Sequence, residues 1–169
     1  MDNVGQGDGS SSGETGDFVI IKLNKGDKYQ VEISKDFLYF VSNNGIIGKP
    51  DMLLLITQRG DIVWGRFDFS FASCNNLDVT ATDIPDLSKI KYTNYMFAGC
   101  ENLKGTTANW KWKTSSIIDM SCIFCKGTLF NEDISSWDVS SVELMNDMFH
   151  DGYGFNQDLG IWDLSKIKT

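Results

Sequence analysis

Aspartate carboxylates recur in this chain at one spacing, and paired carboxylates can bind calcium or hydrolyse a glycosidic bond. Asp133 and Asp158 are 25 residues apart, as are Asp138 and Asp163. If the two segments lie side by side, each pair brings like charges together, and bound calcium would relieve the repulsion. The alternative is that each aspartate accepts a hydrogen bond from an amide of its own turn. We expect turn capping, with no cofactor.

Other reactive side chains do not predict an enzyme. Carboxylate pairs arise in any repeated sequence without a catalytic demand. Cys122-Ile-Phe-Cys125 has the spacing of half a zinc site, but it lacks a second pair or a nearby histidine. His150 is the one histidine of the chain and has no cysteine at a spacing that predicts a nucleophilic pair. We therefore expect a surface histidine and no catalysis.

Tryptophans also recur in register. Trp112, Trp137 and Trp162 each stand five residues before an aliphatic residue. Such a row could form a ladder of stacking platforms for sugars or peptides, but aromatic residues at a fixed repeat position more often fill a core. We expect these three in the core. Trp110 is out of phase with them, which makes it the better candidate for an exposed contact.

The spacing reflects a repeat, clearest where the thirteen residues 130–142 recur as 155–167 with the same pattern of Phe, Asn, Asp, Trp, Ser and aliphatic residues. Self-similarity at this period predicts a solenoid of stacked units. Fainter copies in the same register give steps of 25 to 27 residues, with units near 67–96, 97–123, 124–148 and 149–169. Cys74 and Cys100 hold equivalent positions in two units, which is typical of a small residue filling a buried corner.

Each unit is predicted to have two halves, as in leucine-rich repeats. Ser140-Ser-Val-Glu143 has a capping-box pattern, and Val142, Met145 and Phe149 follow at helical spacing, so 140–149 is predicted as a short helix. The half at 155–162 is rich in turn formers and is predicted to lead into a short strand. Stacked units would join such strands into a narrow parallel ladder.

The region before the repeats differs in composition. Residues 1–17 are rich in glycine, serine and acidic residues and are predicted to form a disordered arm. Residues 18–66 contain short β-branched and aromatic runs separated by turn formers, including a strand predicted over 53–57. A solenoid's first unit has no neighbour to cover its core, so we interpret 18–66 as a β-rich N-terminal cap.

The charge balance excludes some partners. The chain has a formal net charge of −8, so it has no general attraction to nucleic-acid phosphates or to anionic membranes. Its longest apolar run, 52–56, is far shorter than a membrane-spanning helix requires, and its N-terminus lacks the pattern of a secretory signal. We expect no nucleic-acid binding and no membrane insertion.

The repeats resemble the BspA-like leucine-rich-repeat surface proteins. The motif Met-Phe followed by Gly-Cys-x-Asn-Leu is present at 96–103, and Phe-Asn-x-Asp-(Ile/Leu), then Trp-Asp-(Val/Leu)-Ser, is present at 130–140 and 155–165. The resemblance covers about residues 29–169 and implies non-enzymatic proteins displayed on cell or particle surfaces, where the repeats mediate attachment. The unit around 121–128 departs from the motif because it lacks the Met-Phe pair.

The expected function is a non-catalytic, surface-exposed module that binds a protein or glycan through one face of the repeats. The residues predicted to form that face, with Trp110 as an exposed contact, are Glu132, Asp133, Gln157 and Asp158. The alternative is a virion or phage component on a particle surface, docked to a shell protein by residues 1–17, which would explain the missing signal. A stack ending at Thr169 is also expected to expose an apolar end, either because the sequence is a fragment or because a partner covers that end.

Overall fold

The computed structural model of the chain describes residues 55–56 and 67–168. Two short strands lie in this part, β1 over Leu55–Ile56 and β2 over Asp78–Val79. They pair in parallel, with Leu55 opposite Asp78 and Ile56 opposite Val79. β1 falls within the strand predicted over 53–57. The predicted arm, 1–17, and most of the predicted cap, 18–66, lie outside the described residues.

Backbone hydrogen bonds join equivalent positions of consecutive units. The N–H groups of three phenylalanines donate to a carbonyl of the next unit, Phe71 to Met96 at 2.9 Å, Phe97 to Ile123 at 2.9 Å and Phe124 to Met148 at 3.1 Å. Amides two residues away continue the pattern. The amides between them donate to a carbonyl of their own unit, as Cys100 N–H does to Phe97 O at 3.1 Å. Successive amides therefore alternate: one bonds to the next unit, and the one after it bonds within its own unit.

This alternation replaces the helix predicted over 140–149. The described residues contain no helix, and this segment consists of turns with a β-bridge at Leu144. Amides of the preceding unit, at Cys122 and Phe124, donate to the carbonyls of Asn146 and Met148. Those carbonyls are therefore committed to a neighbour rather than to a helical turn. A helix this short has a costly nucleus, and the bonds between units are made instead.

The parallel ladder forms, but in the other half of the unit from the one expected. Isolated parallel bridges join Tyr92 to Asp119 and Asp119 to Leu144. Each of these residues stands two positions after a buried aliphatic of its unit. The described part of 155–162, which was predicted to supply the ladder, has no strand.

Residues with left-handed backbone recur as pairs, four positions apart, once in each repeat step, and Gly105 is left-handed as well. A left-handed residue other than glycine costs about 1–2 kcal/mol, so such residues persist only where the surroundings require them. At each of these residues the backbone changes direction, and in the first three pairs an amide bonded to the next unit is followed by an amide bonded within its own unit. The pairs are Phe69 with Ser73, Tyr95 with Gly99, Cys122 with Lys126 and Asp147 with Asp151.

The core is built from columns of aromatic rings that run from unit to unit. One column contains Phe71, Phe97, Phe124 and Phe149, with successive ring centroids 5.3, 5.8 and 6.0 Å apart and nearly parallel planes. A second column stacks Trp112 on Trp137 at 5.5 Å, and both side chains are 3% exposed. The third tryptophan of the row, Trp162, is half-buried and packs against the core. The prediction that these tryptophans are core residues is confirmed for Trp112 and Trp137, whereas Trp162 lies at the edge of the core.

The prediction that Trp110 is exposed is wrong. Its side chain is 3% exposed, and its ring makes edge contacts with Phe97, Phe124 and Phe130 at 5.9, 6.0 and 5.0 Å. The position six residues after the column phenylalanine is Leu103 in this unit but phenylalanine in the next two, at 130 and 155. The smaller leucine leaves space. Trp112 follows Leu103 by nine positions, whereas Trp137 follows Phe130 by only seven. The longer loop carries Trp110 into that space.

Small residues complete the core. Cys74 and Cys100 are fully buried, as their equivalent positions predicted, and Cys100 Sγ donates to Phe71 O at 3.1 Å. Cys122 and Cys125 are also buried and form a separate small cluster with Ala98. None of the four cysteines forms a disulfide.

Candidate interaction surface

The aspartates of the repeated phrase cap their own turns, as predicted. Asp133 Oδ1 accepts the N–H of Ser135 at 2.9 Å, and Asp158 Oδ1 accepts the N–H of Gly160 at 2.8 Å. The other aligned pair does the same, with Asp138 bonded to Ser140 N–H and Asp163 to Ser165 N–H, both at 3.0 Å. Each carboxylate is therefore fixed in direction by the backbone two residues ahead of it.

Hydrogen bonds also tie the two copies of this turn together. Asn131 Oδ1 accepts the N–H of Asn156 at 2.8 Å, so this asparagine bonds to the next unit rather than capping its own turn. Gln157 Nε2 donates to the carbonyl oxygen of Asn131 at 2.9 Å and to its Oδ1 at 3.1 Å. Residues 131–133 and 156–158 therefore lie side by side, and we call them the paired-turn surface.

The paired-turn surface contains four of the five residues predicted to bind a partner. Asp133 and Asp158 are exposed, whereas Glu132 and Gln157 are half-buried. Partial burial, with a smaller contribution from the charge of Asp78, raises the pKa of Glu132. The hydroxyl and amide of Ser135 lower the pKa of Asp133. The fifth residue, Trp110, is in the core and cannot contribute an exposed contact.

The capped aspartates predict a specific response to acid. Hydrogen bonds from the serine two residues ahead lower the folded-state pKa of Asp133, Asp138 and Asp163. Their carboxylates therefore stabilise the fold above the unfolded pKa of about 3.9, and this contribution is lost as the pH falls through the lower folded values. We expect the thermal midpoint to fall below about pH 4. An Asp133→Asn/Asp138→Asn/Asp163→Asn variant should show a smaller fall, measured by circular dichroism from pH 2.5 to 7.

No metal centre is apparent in the described ranges. Within residues 55–56 and 67–168, no three histidine, cysteine, aspartate or glutamate side chains converge in a way that could hold a metal ion. Calcium takes six to eight oxygen ligands, and one oxygen of each aligned aspartate is already bonded to its turn. The four aligned aspartates therefore have the turn-capping role that the sequence predicts.

The thiols are expected to react slowly in the folded protein. Burial raises the pKa of the Cys125 thiol to about 12, with Cys122 as a further cause, and burial raises that of Cys100 further still. The thiolate is the nucleophile, so at pH 8 almost none of the reactive form is present. Iodoacetamide should label Cys100 and Cys125 many times faster in 6 M guanidinium than in buffer, as followed by mass spectrometry. Equal labelling rates would contradict the buried placement.

His150 is a surface residue, as predicted. Its Nε2 lies 3.5 Å from Asp151 Oδ2, and more than half of its side chain is exposed. The hydroxyl of Tyr153 donates to the same aspartate at 2.9 Å. These contacts provide no activated nucleophile.

One group of exposed aromatic residues was not predicted from the sequence. Tyr95 is 40% exposed and stacks on Phe69, with ring centroids 4.8 Å apart and planes within 6°. Tyr92, at the start of the bridge ladder, is 53% exposed. Phe69 and Tyr95 are 26 residues apart, at equivalent positions two residues before a column phenylalanine. That spacing was the available signal, because two aromatics aligned in register predict a ring stack.

Together these features define a repeat protein whose units share one hydrogen-bonding scheme and one aromatic core. The chain belongs to DUF285, described as a Mycoplasma protein family of unknown function, whose family model matches residues 66–169. Members of this family are often surface proteins, and the family is related to the BspA-like surface repeats that the sequence resembles. No curated protein and no solved structure matches the chain. Among the described residues, no helix has the length and apolar character to span a membrane.

Proposed function

We propose that this chain is a non-catalytic repeat solenoid, displayed at a cell surface, that binds a protein or a glycan through the paired-turn surface. The observation that carries the proposal is the side-by-side placement of Glu132 and Asp133 with Gln157 and Asp158. Their segments are joined by the bonds from Asn156 and Gln157 to Asn131.

The solenoid part of the proposal is supported by the bonds between units. The N–H of Phe97 donates to the following unit while its ring stacks on Phe71 and Phe124. Nearest-neighbour contacts of this kind are what stabilise repeat proteins, whose extended faces bind by summed contacts over several units. A leucine-rich helix is not part of the proposal, because the described residues have none.

The binding part is supported by the rigidity of the surface. Both exposed carboxylates are held by backbone amides, so little side-chain freedom remains to be lost when a partner binds. The chain is acidic overall, and a pair of fixed carboxylates favours a partner with cationic groups or sugar hydroxyls. The same engagement of the carboxylates in turns supports a non-catalytic role.

An Asp133→Asn/Asp158→Asn variant tests this proposal. Asparagine keeps an oxygen that can accept the turn amide, so the fold should be retained while both charges are removed. Beads coated with the full chain should attach to cultured animal cells. Beads with the variant should attach at least about fivefold more weakly, because central contacts in an interface each contribute more than about 1 kcal/mol.

The matched control is Asp86→Asn. Asp86 is also exposed and caps a turn through the N–H of Ser88 at 2.9 Å, but it lies in an earlier unit, away from the paired-turn surface. This variant should attach as the unmodified chain does. Equal attachment by all three proteins, at equal thermal midpoints, would reject the paired-turn surface as the binding site.

A further inference from the structure

Four left-handed residues, each two positions before a column phenylalanine, form a further column that we call the outer column. Its first two members are Phe69 and Tyr95, whose rings stack with centroids 4.8 Å apart. Its next two members are Cys122 and Asp147, which carry no ring. Phe69 therefore covers one face of the Tyr95 ring, and no ring of the outer column continues the stack beyond the other face. Tyr95 is still 40% exposed.

Asp147 lies two steps beyond Tyr95 in the outer column. Tyr95 stands three residues after Tyr92, and Asp147 stands three residues after Leu144. Asp119 forms parallel bridges to both Tyr92 and Leu144, so the two steps are steps between neighbouring strands. Such strands lie about 4.8 Å apart, which places Tyr95 and Asp147 about 10 Å apart along the stack. A planar group stacked about 4 Å from the ring fits between them, and the Asp147 side chain can reach it from the opposite side.

The Asp147 carboxylate is exposed and uncommitted. Asp119, Asp133 and Asp138 each accept an amide hydrogen bond. The side chain of Asp147, in contrast, has no hydrogen bond and no ion pair within residues 55–56 and 67–168. Its charge nevertheless reaches the tyrosine. The neighbouring Cys122 is the main cause that raises the pKa of Tyr95, and the negative charge of Asp147 contributes to the same rise.

A ring face and a carboxylate in this arrangement favour a planar cation. The face of an aromatic ring carries negative potential, so a cation between ring and carboxylate is attracted from both sides. A guanidinium stacks on aromatic rings and donates two parallel hydrogen bonds to a carboxylate, whereas the ammonium of lysine does neither. A neutral sugar would leave the charge of Asp147 uncompensated. The net charge of −8 also favours a basic partner.

We propose that Tyr95 and Asp147 form a binding site for an arginine side chain of a basic partner protein, with the guanidinium stacked on the ring and bonded to the carboxylate. The exposed side chains of Tyr92 and Leu144 lie on the adjoining ladder and would contact the rest of the partner segment. This site belongs to the half of the unit that contains the ladder, whereas the paired-turn surface belongs to the other half. The proposal therefore does not rest on the paired-turn surface.

A short peptide with a single arginine tests the proposal. The ¹⁵N-labelled full chain is titrated with acetyl-Gly-Arg-Gly-amide, and binding is followed by the NMR shifts of the Cys122 and Asp147 amides. The dissociation constant should be on the order of 10 mM, as expected for one stacked and bonded side chain. The peptide acetyl-Gly-Lys-Gly-amide supplies the same charge and ionic strength, and it should bind at least about threefold more weakly, because lysine cannot stack.

Two substitutions locate the site. Tyr95→Ala should weaken binding of the arginine peptide at least about threefold because the stacking face is lost, whereas Tyr95→Phe should keep it. Asp147→Asn should also weaken binding at least about threefold, because the charge is removed. Asparagine tolerates the left-handed backbone at this position, so the fold should be retained. The matched control is Asp86→Asn, which removes one exposed charge in an earlier unit and should bind as the unmodified chain does.

Three results would overturn the proposal. The first is equal binding of the arginine and lysine peptides, or no shift with the arginine peptide up to about 100 mM. The second is unchanged binding by Asp147→Asn or by Tyr95→Ala at an unchanged thermal midpoint. The third is a shift of the same two amides by the neutral trisaccharide maltotriose at lower concentrations than the arginine peptide requires, because the site would then take a glycan.

Discussion

Replacing Gly105 with alanine is expected to destabilise the protein by about 2–5 kcal/mol. Gly105 has a left-handed backbone with φ of 68°, which costs a residue with a Cβ about 1–2 kcal/mol. The added Cβ would also lie 2.6 Å from Trp110 Cζ2, and inserting a group into a packed core typically costs about 1–3 kcal/mol. Trp110 cannot easily move, because its Nε1 donates to Gly105 O and four rings surround it. Urea denaturation measures the loss.

Gly99→Ala is the matched control for Gly105→Ala. Gly99 is also left-handed, with φ of 73°, but the nearest atom to its added Cβ is Ser73 Cα at an ordinary 3.5 Å. It should cost only the backbone term, about 1–2 kcal/mol. Ser73, Lys126 and Asp151 hold equivalent positions with side chains, so the backbone there accepts a Cβ. Equal losses for the two substitutions would contradict the packing of Trp110 against Gly105.

Phe124→Ala is expected to cost about 3–5 kcal/mol, as the removal of a large buried aromatic side chain typically does. Phe124 is 1% exposed and is the central ring of the core. It stacks on Phe97 and Phe149, lies 4.0 Å from Phe130 and touches two tryptophan rings. Its loss would open a cavity between two units and weaken the contact that joins them. The measurement is again the free energy of unfolding.

Phe149→Ala provides the comparison for Phe124→Ala. Phe149 occupies the same column one unit later, but it is only half-buried and stacks on Phe124 and Phe155. A smaller apolar area is removed from water at this position, so the loss should be clearly smaller than for Phe124→Ala. A loss at Phe149 as large as at Phe124 would contradict the half-buried placement of Phe149.

Much of the core could be predicted from the sequence, because it depends on spacing alone. Trp112 and Trp137 recur in register, and residues in register meet the same surroundings in successive units. Turn capping by Asp133 and Asp158 was predictable for a different reason. An aspartate that bonds to an amide two residues ahead needs no distant partner, so the local sequence determines the contact.

The turns that replace the predicted helix over 140–149, and the burial of Trp110, could not be predicted in the same way. Val142, Met145 and Phe149 do pack against the core, but their spacing suits both a helix and a series of turns. The choice depends on whether the carbonyls of Asn146 and Met148 are claimed by the previous unit, which is a long-range property. The burial of Trp110 likewise depends on Leu103 being smaller than its counterparts in the two later units, Phe130 and Phe155.

The longer loop between Leu103 and Trp112 has a consequence for the register of the stack. It adds two residues to one unit, yet the phenylalanine rings on either side remain 5.8 Å apart, close to the 6.0 Å of the next pair. The spacing of the phenylalanine column is therefore the same with and without these two residues. Two added residues in this segment therefore leave the register of the later units unchanged, because Trp110 is taken up into the core instead of displacing them.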